Sequence, residues 1–378
     1  MRSVIGKVAL VAAVVALAAC GKHTSGAHEG DDMGTHASMA IASDGNLYVS
    51  YYWRSHKVTA NHDEKVGALM FARGSVAGDN SVHWAEPEYV EGDVRIKGQS
   101  DVGEYTSLAL GSDKQPRISY YDKKLGDLKF AVKKDGKWAT ESVDTTGNVG
   151  GYTSLVLEND NPRIAYYDFD KKALKLAVKN GTGPWTITTV DDGNAGANDV
   201  GKWCSLAKDG NGGLGIAYYD ATNGNLGYIA GNATGFPAAA TATEWLDTDG
   251  DVGRWPKLVY DLGSPRIAYQ DYTNQHLKFA KKDGQGAWAV ETVDNTQWTG
   301  ADTSIAIDHS GKITIAYFDG LNNDALSARW DGNAWTLGKV AQEGANGYFN
   351  NVVLDAQGAP VFGWYTYTGN TFRGVRIP

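Results

Sequence analysis

The sequence predicts an all-β protein, a seven-bladed β-propeller of four-stranded antiparallel blades, and three observations carry that prediction. First, a motif ending in an apolar–aromatic pair returns seven times: Tyr51-Tyr52, Tyr120-Tyr121, Tyr166-Tyr167, Tyr218-Tyr219, Tyr269-Gln270, Tyr317-Phe318 and Trp364-Tyr365. The spacings are 69, 46, 52, 51, 48 and 47 residues, a period that belongs to propellers or solenoids. Second, hydrophobicity within a copy alternates with period two, and no helical period competes over a comparable length. Third, the 378 residues include 47 Gly, 20 Tyr and 12 Trp but only 9 Pro, which suits short strands joined by tight turns.

The first residues form a separate object. Arg2 and Lys7 precede an apolar run from Val8 to Leu17 that is too short to span a bilayer and reads as a secretory signal. Leu17-Ala18-Ala19-Cys20 looks like the lipobox of bacterial lipoproteins, so residues 1–19 are expected to be a signal peptide and Cys20 the lipidated N-terminus. Several acyl chains anchor stably where one is marginal. Gly21 rather than Asp follows the cysteine, and in a Gram-negative cell that pattern implies the outer membrane. Residues 20–35 are small and polar and read as a flexible tether, with the propeller occupying 36–378. Cys204 is the one other cysteine, so the fold must hold without an internal disulfide.

One copy shows the blade. Tyr105–Leu110, Arg117–Asp122, Leu128–Lys134 and Trp138–Val143 each alternate, with turns "GSDKQ" and "DGK" between them. Four such strands cannot bury both faces alone, whereas radial stacking covers both and leaves only short edges. Trp138, Trp185, Trp288 and Trp335 hold one place in successive fourth strands, with Trp84 near it in the first copy, as wedges between sheets would. The fourth copy departs, with Thr241 at that place and Trp245 beyond it. The seventh copy supplies three strands. Either residues between His23 and Gly34 add the fourth or the blade has three, and the polar composition upstream favours three.

The recurring "YTSL", "PRI", "YYD" and "LK" units resemble repeats of secreted bacterial propeller proteins, loosely the sialidase-like group. The resemblance covers the chain from about Met39 onward and lacks the sialidase Asp-box. It implies a fold more than an activity, because propellers host many unrelated functions.

In a propeller, residues that open the inner strands and residues that end the second strands lie on one face. The first set is His36, Tyr105, Tyr152, Trp203, Trp255, Asp302 and Phe349; the second is Asp122, Asp168, Asp220, Asp271 and Asp319. Together they are expected to form an aromatic and acidic ring at the axial mouth, suited to sugars or cations. Each set has a structural reading as well: Asx-turns for the aspartates, gap-filling for the aromatics. Asp247, Asp249 and Asp251 alternate as calcium ligands do, but no EF-hand glutamate follows, so a plain turn competes with a calcium site. His56, His62 and Asp63 in the first copy's insertion match no zinc spacing. Arg117, Arg163 and Arg266 recur at one strand position, which points to packing.

No nucleophile elbow, P-loop or isolated carboxylate pair stands out. The net charge of -9 argues against nucleic acid. The expected function is a binding module for glycan or protein, with no cofactor other than calcium in view. The alternatives are an extracellular carbohydrate-active enzyme or a structural cell-envelope scaffold.

Overall fold

The computed structural model describes residues 31–59, 62–94, 100–232, 234–237 and 239–378, and their side chains except at 56–65, 240 and 241. The signal segment, Cys20 and most of the tether lie outside the described residues, as do the side chains of His56, His62, Asp63 and Thr241.

Seven blades are arranged with their first strands innermost, the first and seventh joined in one eight-stranded sheet. These inner strands are Asp32–Ile41, Val102–Leu110, Val149–Glu158, Val200–Lys208, Val252–Asp261, Thr299–Ile307 and Tyr348–Leu354. Blades two to six each contain four antiparallel strands in sequence order. Blade two is typical, continuing through Pro116–Asp122 and Asp127–Lys134 to Lys137–Asp144. Blade one divides its outer position between Val82–Trp84 and Glu88–Glu91, both paired with the third strand. Blade seven has three strands of its own among the described residues, ending with Pro360–Thr366 and Thr371–Arg376.

One glycine repeats at every joint. Gly34, Gly103, Gly150, Gly201, Gly253, Gly300 and Gly347 open the inner strands with φ between +83° and +123°, and a Cβ on each would lie 2.5–2.9 Å from the preceding blade's third strand. Only a residue without a side chain permits both the conformation and the approach. The seventh joint, Gly34 against Phe372, closes the ring on the same terms as the others. The closure also contains the Met33↔Thr371 bridge, the Ser81↔Val375 bridge and a 2.8 Å bond from Tyr365 Oη to Asp32. Residues 32–35 belong to the first inner strand, so the propeller includes them and does not start at 36.

The tyrosine pairs explain the repeat. In blades three to six the first tyrosine of the pair is fully buried and donates to the acid ending the previous blade's outer strand: Tyr166 to Asp144 at 2.6 Å, Tyr218 to Asp191 at 2.7 Å, Tyr269 to Asp247 at 2.6 Å and Tyr317 to Asp294 at 2.7 Å. The second tyrosine reaches the loop entering the next blade, as Tyr167 does to Asp199 and Tyr219 to Asp251, both at 2.7 Å. Each of these six hydroxyls thus finds a carboxylate, which removes the cost of an unpaired polar group.

The tryptophan wedges fall between sheets as expected. Trp138, Trp185, Trp288 and Trp335 meet Phe71, Phe130, Tyr228 and Phe279 of the preceding blade edge-on, at centroid distances of 5.1–5.5 Å. Trp84 meets Phe372 at 5.7 Å. In blade four, Phe236, Ala239 and Ala242 fill the corresponding gap, and Trp245 turns outward with 43% of its surface exposed.

Candidate functional site

Two residues after each joint glycine the backbone is left-handed again, and here the residue is never glycine. His36, Tyr105, Tyr152, Trp203, Trp255, Asp302 and Phe349 have φ between 48° and 55°. Each sits where the inner strand slips register against its neighbour, the signature of a β-bulge. Bulges re-aim side chains, and these seven all line one axial pocket of about 300 Å³.

Six of them are ring-bearing and touch in sequence. Phe349 meets His36 at 4.8 Å, His36 meets Tyr105 at 4.7 Å and Tyr105 meets Tyr152 at 4.6 Å. Tyr152 then meets Trp203 at 5.5 Å, and Trp203 meets Trp255 at 4.8 Å. The arc stops at Asp302, whose carboxylate accepts a long 3.4 Å bond from Phe349 N–H. All seven remain partly exposed, so the arc has surface left for a ligand.

Below the arc, a second ring of bonds ties the inner strands together. The fourth residue after each joint glycine accepts from the backbone N–H of the next inner strand: Ser38 from Leu108, Ser107 from Leu155, Ser154 from Leu206, Ser205 from Leu258, Ser304 from Val352 and Asn351 from Met39, all at 2.9–3.0 Å. The position in blade five is Lys257, which has no acceptor to offer the N–H of Ile305. Pro256 beside it stands where Thr153, Cys204 and Thr303 donate to the carbonyl of the preceding blade's arc residue. Repeat symmetry therefore breaks in blade five and at Asp302 in blade six, on one side of the pocket.

Enclosure sets the protonation here. Burial, reinforced by Lys123 and Arg54, holds His36 down at about 3, so its imidazole is neutral. Burial raises Asp302 to about 6 and the Cys204 thiol to about 12. Lys257 reaches into the pocket, ringed by protein yet open to it, and desolvation lowers its pKa while Cys204 and Asp302 oppose that shift.

The five strand-ending aspartates do not join this pocket. Asp122, Asp168, Asp220, Asp271 and Asp319 are buried and accept from backbone N–H groups of their own hairpins, such as Thr222 and Asn223 on Asp220. A short hairpin needs those acceptors, so the Asx-turn reading prevails and the acidic half of the expected ring is corrected. The calcium reading of Asp247, Asp249 and Asp251 also fails. Asp247 is buried against Tyr269 and Lys278, Asp251 pairs with Arg254 and Tyr219, and no three-ligand group exists among the described residues. The arginines do not cluster: Arg163 and Arg266 bind carbonyls of Lys179 and Lys282 in their own blades, and Arg117 binds Asp113.

Sequence reasoning placed the aromatics correctly at the axis but passed over Lys257. The signal was present, since "YTSL", "YTSL", "WCSL" and "DTSI" align with "WPKL" at Trp255–Leu258. A lysine among serines reads as an ordinary surface substitution until the fold turns that position inward.

No family model matches the chain, and no curated protein matches it. Among solved structures, the SapL1 lectin in complex with alpha methyl fucoside is 17% identical, with a TM-score of 0.50, over 72% of this chain and 92% of that one. A protein of unknown function from Dyadobacter fermentans is 10% identical, with a TM-score of 0.50, over 93% and 99%. The alpha-L-arabinofuranosidase Arb93A from Fusarium graminearum follows at 14% identity and a TM-score of 0.49, over 95% and 96%. At these identities the likeness is one of fold, and the fold is that of a β-propeller.

Proposed function

We propose that this protein is a saccharide-recognition module whose binding site is the axial pocket. One observation carries the reading: an arc of six touching rings ends against the polar pair Lys257 and Asp302 within a single pocket. Sugar C–H faces stack on aromatic rings, while hydroxyls need a donor and an acceptor at the rim, and pockets near this volume hold small ligands. The arc positions carry bulky side chains in a conformation that glycine would adopt at less cost, so the side chains themselves are what the position retains. SapL1, a lectin of the same fold solved with a sugar, lends general support.

Glycoside hydrolysis asks for two carboxylates about 5–10 Å apart. Among the described residues lining the pocket Asp302 is the only carboxylate, which favours binding over catalysis. We place the module outside the cell, anchored through Cys20 to the outer membrane. A Cys20→Ser variant that stays in the membrane fraction would remove that part of the reading.

A glycan array probed with the wild type and with a Trp203→Ala, Trp255→Ala double variant tests the site. Glycans should be retained by the former and lost by the latter. Binding that survives the double variant would place the ligand elsewhere, and a protein partner that survives it would favour the scaffold reading.

A further inference from the structure

Six joints offer a serine or asparagine oxygen to the next inner strand, and the joint between blades five and six does not. At the serine's place stands Lys257, which lines the axial pocket, whereas its counterparts there offer a serine or asparagine oxygen to the next inner strand. Lys257 has no carboxylate within ion-pair distance among the described residues, although Asp302 and Cys204 are near enough to influence it. The Cys204 thiol stays protonated, and its hydrogen is directed to the Tyr152 carbonyl at 3.1 Å, so it supplies no counter-charge. His36 is neutral across the pocket.

We infer that the pocket wall at the joint between blades five and six is an oxyanion subsite, where Lys257 Nζ holds a carboxylate or sulfate carried by the saccharide of the axial pocket. The inference rests on the axial reading above and names the ligand class for it. An oxyanion supplies the counter-charge that Lys257 lacks, and charge-assisted bonds in an enclosed site are the strong ones. A chain of net charge -9 repels anions overall, so an anionic ligand requires a cation built into its site. Asp302 flanks the subsite and weakens it while ionised. The subsite should therefore bind more tightly as the pH falls through about 6, where Asp302 takes up its proton.

The test is an array of matched neutral, uronate-bearing and sulfated sugars at pH 7, probed with the wild type, Lys257→Ser, Lys257→Met and Asp302→Asn. The wild type should prefer the acidic member of a matched pair by about tenfold or more. Both lysine variants should lose that preference, and Asp302→Asn should keep or increase it. Lys257→Ser restores the missing acceptor and should melt at or above the wild-type temperature. The retained spots decide between carboxylate and sulfate. Equal retention of neutral and acidic sugars, or an acid preference that survives Lys257→Met, overturns the subsite and leaves the axial reading standing. If the wild type retains no sugar, both fall together.

Discussion

At the start of every inner strand a non-glycine residue is held at positive φ, a conformation that costs L-residues roughly 1–2 kcal/mol. The fold imposes the bulge in all seven blades, but it does not dictate the side chain, and the identities run from Trp to Asp to His. His36 shows what enclosure does to one of them. Its folded pKa lies at about 3, below the ordinary 6.5, so the unfolded chain takes up a proton between those values and the folded chain does not. The stability His36 permits is therefore complete above pH 6.5 and is lost as the pH falls towards 3. Asp302 acts in the opposite sense: its folded pKa of about 6 lies above its ordinary 3.8, so its contribution is greatest at low pH and declines as the pH rises through 6. A His36→Phe variant, which continues the aromatic arc without a titratable group, should flatten the acid side of a melting-temperature profile between pH 6.5 and 3. An unchanged acid limb would mean that imidazole burial is not what limits stability there.

At the scale of the element, the joint between blades is the unit that recurs. A glycine admits the neighbouring strand, a serine ties the two inner strands, a buried tyrosine reaches back to an acid, and a tryptophan closes the rim. On that rim Lys282 binds Glu244 at 2.8 Å and lies over Trp288, while Trp288 Nε1 donates to the same glutamate at 3.0 Å. Ser205→Ala should cost about 1–3 kcal/mol, because it leaves the Leu258 N–H buried without a partner. Denaturant unfolding of this variant beside Lys257→Ser would show opposite signs at equivalent positions. Equal effects would mean that the inner-strand bonds carry no measurable stability.

For the whole molecule, closure is the decisive event. The last joint repeats the glycine contact, the tie between inner strands, here through Asn351 in place of a serine, and the tyrosine–acid bond, all drawn from opposite ends of the described chain. Removing Thr371–Pro378 should therefore open the ring, expose the Phe372 seat on Gly34 and Trp84, and abolish cooperative melting. A truncated chain that still melts in one transition near the wild-type temperature would show that the blades are stable without closure. Closed rings also explain why no disulfide is needed: the seven joints bury apolar surface on both faces of each sheet.

Much of this was legible beforehand, for a physical reason. Strand alternation, turn residues and the repeat period act locally and recur seven times, so the sequence determined the blades, their number and the wedge tryptophans. It also determined which residues open the inner strands, because that follows from order along the chain. What only the tertiary structure decided were matters of direction. "YYD" aspartates turn into their own hairpins because a tight turn leaves N–H groups to satisfy, and the acids of "LDTDGDVGRW" are drawn apart by Tyr269 and Lys278 of the next blade and by Arg254 three residues beyond Asp251. The importance of Lys257 arises from seven strands converging on one axis, since only that convergence turns one substituted serine into a charge inside the pocket.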